Sequence, residues 1–243
     1  MKAFLLNLDK DTDRLAAADQ QLKTLGIQYE RVSAVYGKSL TQEQLKKYFN
    51  PFRARLYKGA KASVGAIGCT LSHLFVYKRM IEENIPVALI TEDDLRLSSG
   101  FTVALKYVEE NVDLNQRQVI LFSDHRGGVH NRISMSCESP KFVEVDSDMC
   151  SEAYVITLAA ARELYRINFP VVADVDAWGR FRRRGHIRLY HAEPPTVMQN
   201  RDDFKTNIEM FAPSSQPVLR LLRKFRRAIE KTLDELIFLI TRK

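Results

Sequence analysis

Cysteine is the first scarcity. Three residues in 243, Cys69, Cys137 and Cys150, are too few and too scattered for a disulfide framework. No CxxC pair and no Cys/His spacing suggests zinc. A reduced, cytosolic protein is the expectation. Long apolar runs are also missing. No uninterrupted segment reaches the roughly 20 residues of a membrane span. The apolar opening, residues 3–8, is too short for a signal peptide and meets acids at once. Neither secretion nor a transmembrane helix is expected. There is no internal repeat and no low-complexity segment.

Net positive charge is scarce outside one stretch. Over residues 217–243, Arg220, Arg223, Lys224, Arg226, Arg227, Lys231, Arg242 and Lys243 outnumber Glu230, Asp234 and Glu235 by five. The whole chain carries +7, so the remainder is close to neutral. A nucleic-acid footprint would spread across the folded domain, and no specific nucleic-acid partner is expected.

What is present is a hydrophobic content of 45%, enough for one large core. Strand-like runs occupy residues 2–8, 29–35, 87–90, 119–122, 154–157 and 188–191. Helical spacing runs from about Thr12 to Leu25 and is closed by Gly26 at a C-cap position. Thr41 and Gln44 form a capping-box opening, residues 71–83 read as a helix stopped by Pro86, and another helix starts near Leu158. Alternating elements of this kind predict an α/β fold, a mixed, mostly parallel sheet with helices on both faces.

In such sheets ligands bind beyond the carboxyl ends of the strands. Asp9, the run Glu92-Asp93-Asp94 and Asp124 each follow a predicted strand. Acids at strand ends are common as turn and cap residues, which is the plain alternative. A hard divalent cation, Mg²⁺ or Mn²⁺, would relieve their mutual repulsion, and Mg²⁺ usually completes its shell with water and phosphate oxygens. A nucleotide diphosphate is then the expected third party.

Several segments, in order, carry a family resemblance. Residues 6–14 hold an opening strand with an Asp-Arg pair, and residues 31–37 end in Ala-Val-Tyr-Gly where the family usually has Ala-Val-Asp-Gly. Residues 65–73, with Gly65, Gly68, Cys69, Ser72 and His73, match Gly-x-x-Gly-Cys-x-x-Ser-His. Glu92-Asp93-Asp94 follows a strand, residues 175–178 are Val-Asp-Ala-Trp, and Pro194-Pro195 comes near the end. Over roughly residues 2–200 the chain resembles the family 25 glycosyltransferases. The resemblance departs from the family at Ala173 and Asp174, and it leaves the basic tail aside.

The resemblance implies a GT-A-like nucleotide-sugar-binding domain over residues 1–212, followed by a basic tail over 213–243. It implies a UDP-hexose donor, galactose or glucose, a lipooligosaccharide or lipopolysaccharide acceptor, inversion at the anomeric carbon and Mn²⁺ held by an acidic motif. In that setting Asp94 is the expected direct metal ligand, and Glu92 would contact ribose or a metal-bound water. Asp93 is a further donor-binding candidate. The opposite orientation that alternation gives an extended segment, as a helix cap or an ion-pair partner of Arg96, is the alternative. His191, ending a late strand, is a candidate third ligand.

Inversion needs a base for the acceptor hydroxyl. The candidates are Asp176, then Asp174, then Asp124, and for Asp176 a bare N-cap role is the alternative. Asn7, Asp9, Arg14, Gly68 and His73 are the expected donor-side residues. His73 is placed at the start of a helix. Arg14 has a surface ion pair to Asp11 as its alternative, and Gly65 and Gly68 have helix packing as theirs. Cys69 reads as a buried small hydrophobe. Residues between Asp124 and Met149, with His125, Gly127, Gly128 and His130, are expected to shape the acceptor side.

The tail places Val218, Leu222, Phe225, Ile229, Leu233, Leu236 and Ile240 on one helical stripe, with basic residues off it. That pattern suits an interfacial helix on the anionic cytoplasmic face of the inner membrane. A helix packed on the domain, or on a second subunit in a homodimer, is the alternative. A non-catalytic nucleotide-sugar-binding or regulatory protein is the alternative function.

Overall fold

The computed structural model of the protein describes residues 1–58, 62–123 and 140–200. Asp124, most of the segment expected to shape the acceptor side, and the tail lie outside them.

A seven-stranded sheet forms the centre, in the order β2-β1-β3-β7-β5-β8-β6. Its strands are β1 (Lys2–Asn7), β2 (Glu30–Ser33), β3 (Val87–Glu92), β5 (Gln118–Leu121), β6 (Lys141–Glu144), β7 (Ala153–Thr157) and β8 (Arg188–Glu193). β1 runs parallel to β2 and β3, and β5 runs parallel to β8. β7 lies antiparallel between β3 and β5, and β6 is antiparallel to β8 at the edge. Five strands therefore share one direction, as the mixed, mostly parallel reading expected. A second, two-stranded sheet pairs β4 (Leu95–Leu97) with β9 (Val197–Gln199).

The interior strands are continuous apolar runs because helices cover both faces. On one face α4 (Val64–Glu82), α6 (Leu158–Asn168) and α7 (Trp178–Arg183) bury Leu71, Leu74, Met80, Leu164 and Trp178 against Phe4, Ile90, Val119, Tyr154 and Leu189. On the other, α5 (Phe101–Asn111) packs Phe101, Ala104 and Val108 on Leu89, Ile120 and Val155, and α1 (Thr12–Thr24) packs Ala18 and Leu22 on Leu5. Two short helices, α2 (Gln42–Tyr48) and α3 (Pro51–Lys58), cross between β2 and α4. α2 opens with the expected capping box of Thr41 and Gln44. α1 ends at Leu25 with Gly26 just beyond it at φ +68°, a left-handed position that favours glycine.

One boundary is corrected. α4 starts at Val64, not near residue 71, so His73 sits mid-helix rather than at a helix start. Ser63 caps it, its hydroxyl accepting from Ala66 N at 2.9 Å. Glycine inside a helix costs about 1 kcal/mol, which disguised these two turns in the sequence. Burying Leu71, Leu74 and Met80 returns roughly 1.5–3 kcal/mol each and outweighs that cost.

Candidate active site at the carboxyl edge of the sheet

The carboxyl ends of β1, β2 and β3 meet the amino end of β7, since β7 runs the opposite way. Asn7, Asp9, Ser33, Glu92 and Ser151 are brought to one edge by this arrangement. The backbone then bends at Asp93 and Asp94 before entering β4.

Asp93 and Asp94 are 8% and 9% exposed, a costly burial for two acids in sequence. Asp93 is fully engaged. Its Oδ2 accepts from Asn7 Nδ2 at 2.7 Å and its Oδ1 from Arg14 Nη1 at 3.3 Å. Asn7 is oriented in turn by Arg31, whose Nε and Nη2 reach Asn7 Oδ1 at 3.1 and 2.9 Å. Asp93 thus turns to Asn7 and Arg14, and its ion-pair partner is Arg14. Burial raises its pKa in spite of Asn7 and Arg14. Arg14 lies 3.8 Å from Asp94 as well, so its charge is spent on the acidic run.

Asp94 is different. Gln199 Nε2 donates to its Oδ2 at 3.1 Å, while its Oδ1 is buried and accepts no hydrogen bond among the described residues. Burial and then the Glu92 charge push its pKa up to about 7. An orphaned, buried carboxylate oxygen beside other carboxylates is a fit for a hard cation.

Glu92, the last residue of β3, is half-buried, with its Oε1 2.5 Å from Ser151 Oγ and 3.3 Å from His73 Nε2. Burial pushes its pKa up, but His73, Ser151 and Arg14 together bring it below the usual value. His73 is itself fixed through Nδ1, 2.7 Å from Tyr154 Oη, which lies 2.7 Å from Tyr77 Oη.

Asp174 and Asp176 are half-buried in the turn before α7. Ala177, one residue after Asp176, is the N-cap position of that helix. The turn is set by Asn168, whose Oδ1 accepts from Val172 N and Ala173 N at 3.1 and 2.8 Å, and by Thr70 Oγ1, which accepts from Val175 N at 3.2 Å. The turn brings both aspartates close to α4. The Cys69 thiol is driven well above its ordinary pKa by burial and then by the charges of Glu92, Asp176, Asp174 and Asp94. The charges of four carboxylates from two chain segments, 92–94 and 174–176, therefore bear on one sulfur.

Other expected residues take other places. Asp9 bonds Ser33 Oγ at 2.7 Å and Arg31 Nη2 at 2.5 Å, which lower its pKa. His191 lies with Nε2 2.5 Å from Asp148 Oδ2, both buried. Among the described residues, the His, Cys, Asp and Glu side chains near enough to share an ion are Cys69, His73 and Glu92, and neither His191 nor Asp94 is in that group. Cys69 is half-buried and packs against the core, as the reading as a small hydrophobe expected, and it also has these chemical neighbours. Gly68 serves packing: a Cβ there would lie 2.5 Å from Val35 O and 2.6 Å from Gly37 N. Arg31, Ser151, Thr70, Tyr154 and Gln199 were not singled out by the sequence reading, although Arg31 and Thr70 stand within the recognised segments 31–37 and 65–73.

Comparison with known proteins adds to this geometry. The family model described as glycosyltransferase family 25 (LPS biosynthesis protein) matches residues 1–178. The chain is 31% identical over 178 residues to human procollagen galactosyltransferase 2, covering 68% of this chain and 27% of that one. It is 37% identical over 103 residues to Xenopus laevis procollagen galactosyltransferase 1-A, covering 41% and 17%. The chain thus spans about a quarter or less of the length of these relatives. Among solved structures, A197 from STIV aligns over 87% of this chain and 100% of its own, with a TM-score of 0.41 and 11% identity, too loose a likeness to argue from.

Proposed function

The chain belongs to glycosyltransferase family 25, and from that premise we propose that it moves a hexose, galactose or glucose, from a UDP-sugar to a lipooligosaccharide or lipopolysaccharide acceptor. The observation that carries the metal-assisted form of this reading is Asp94, a buried carboxylate with one oxygen unmatched by any described donor.

Asp94 and Glu92 would hold Mn²⁺ or Mg²⁺, which when bound would neutralise the negative charge growing on the departing UDP. Asp93, turned inward onto Asn7 and Arg14, fixes the bend that presents Asp94. Asp176 takes the proton of the acceptor hydroxyl as that oxygen bonds to the anomeric carbon. The bond from that carbon to the phosphate oxygen breaks on the opposite face, giving inversion. Asp174, from the same turn, is the next choice as base. A GT-A-like donor site at the ends of β1 to β3 agrees with ligands binding beyond strand carboxyl ends. A cytoplasmic location with the basic tail resting on the anionic inner-membrane surface completes the reading, because a lipid-linked acceptor would be met there.

The test is a screen of UDP-sugars for Mn²⁺-dependent hydrolysis, followed by transfer to truncated lipooligosaccharides. Donor binding with neither hydrolysis nor transfer would replace the enzyme with a nucleotide-sugar-binding protein.

A further inference from the structure

We propose that Cys69, His73 and Glu92 form a binding site for a thiophilic divalent cation such as Zn²⁺, behind the hard-cation position and sharing Glu92 with it. This goes beyond the transferase reading; the Cys69, His73 and Glu92 site stands without it, and only the sharing of Glu92 rests on it.

Cys69 and His73 stand four residues apart on α4, so both project from the same helix face. β3 delivers Glu92 to that face, and one ligand atom from each of the three lies within 4.8 Å of the others. Ligand atoms around tetrahedral zinc are separated by roughly 3.3–3.8 Å, given Zn–S and Zn–N bonds of about 2.3 and 2.0 Å. His73 Nε2 and Glu92 Oε1 are already at 3.3 Å. The thiol lies no more than 4.8 Å from either, so the closure needed is at most about 1–1.5 Å, within reach of a rotation about its Cα–Cβ bond.

Two further features suit a metal. His73 Nδ1 faces Tyr154 Oη at 2.7 Å, and the tyrosine ring is stacked on the imidazole at 5.7 Å. A metal-bound histidine characteristically gives its second nitrogen to such a partner, which fixes the ring and leaves Nε2 free to ligate. The charges of Glu92, Asp176, Asp174 and Asp94 all bear on the sulfur, so the local field favours a cation. The fourth position of a tetrahedral ion would be left to water.

Binding replaces the S–H bond of Cys69 with an S–metal bond and releases one proton to solvent, with no change of oxidation state. Because Glu92 would serve both sites, a thiophilic cation withdraws it from the donor side, and the two metals exclude each other.

The experiment is a Co²⁺ titration of the full chain, read by absorbance with neither donor nor acceptor present. We expect one equivalent to bind with a sulfur-to-cobalt charge-transfer band and the intense visible bands of tetrahedral Co²⁺, all discharged by Zn²⁺. Cys69→Ser should abolish the charge-transfer band, whereas Cys137→Ser and Cys150→Ser should keep it. Tyr154→Phe should weaken Co²⁺ affinity by about 10–100-fold while the band remains. In the wild type, Zn²⁺ should protect Cys69 from alkylation mapped by mass spectrometry, a readout needing no variant to fold. Absence of the band and of protection in the wild type, or survival of the band in Cys69→Ser, overturns the proposal. Neither outcome bears on whether sugar is transferred.

Discussion

Gly68 of α4 lies directly on Gly37: a Cβ on Gly68 would meet Gly37 N at 2.6 Å and Gly37 Cα at 2.9 Å, and Val35 O at 2.5 Å. Backbone meets backbone here, so no flexible side chain can move aside. Gly68→Ala should therefore destabilise the fold by about 1–3 kcal/mol, as overpacking does. Thermal unfolding checks this, and an unchanged midpoint would return Gly68 to the donor side.

Asp94→Asn should remove cation binding while sparing the fold, because it deletes a charge that burial already disfavours. Mn²⁺ titration followed by electron paramagnetic resonance reads the loss. For the wild type the sign of the pH effect is fixed by the raised pKa of about 7. The folded state prefers protonated Asp94, so this residue favours folding below its ordinary unfolded value. That contribution is lost as pH rises toward and through about 7. Cation binding requires the ionised form and should strengthen over the same window. Affinity for Mn²⁺ that is flat between pH 6 and about 8 would count against Asp94 as a ligand.

Asp176→Asn keeps the shape of the turn before α7 and removes a proton acceptor. The turnover number should fall by roughly 10²–10⁴-fold with donor affinity nearly unchanged. If Asp176→Asn stays near the wild-type rate while Asp174→Asn is inactive, the base is Asp174.

Asp148 and His191 make a buried pair at 2.5 Å, and the Asp148 pKa is set to about 2 by bonding to His191, which outweighs burial. Burial alone would raise this pKa, so the lowering marks a contact that favours the ionised carboxylate. That stabilisation is present above the ordinary carboxylate value near 4 and is lost as pH falls through about 2. Asp148→Ala should cost about 1–3 kcal/mol at neutral pH by leaving His191 Nε2 without this bond. Urea unfolding at neutral and acid pH measures both effects. Equal stability of variant and wild type at neutral pH would show that the pair contributes nothing.

The basic tail should bind anionic vesicles, weakening as salt rises, since each basic residue near such a surface gains about 1 kcal/mol. Co-sedimentation of the full chain against a chain ending at Gln216 is the measurement. Equal binding by both, or none by either, would leave the stripe as a packing face.

Local pattern was enough for much of this fold. Apolar runs marked β1, β3, β5, β7 and β8, the Thr41 and Gln44 pair marked the start of α2, and Gly26 marked the end of α1. These features answer to burial and hydrogen bonding within a few residues, and such constraints are written in adjacent residue types. The gathering of carboxylates also followed, because parallel strands must end on one edge. The identity of the partners did not. Asp93 turning to Asn7 and Arg14, Glu92 meeting His73 and Ser151, and Asp148 meeting His191 join residues 19 to 86 positions apart. They depend on β1 lying beside β3 and on β7 entering antiparallel between β3 and β5. Strand order is a property of the whole packed core, so side chains that meet through it leave no periodic trace along the chain.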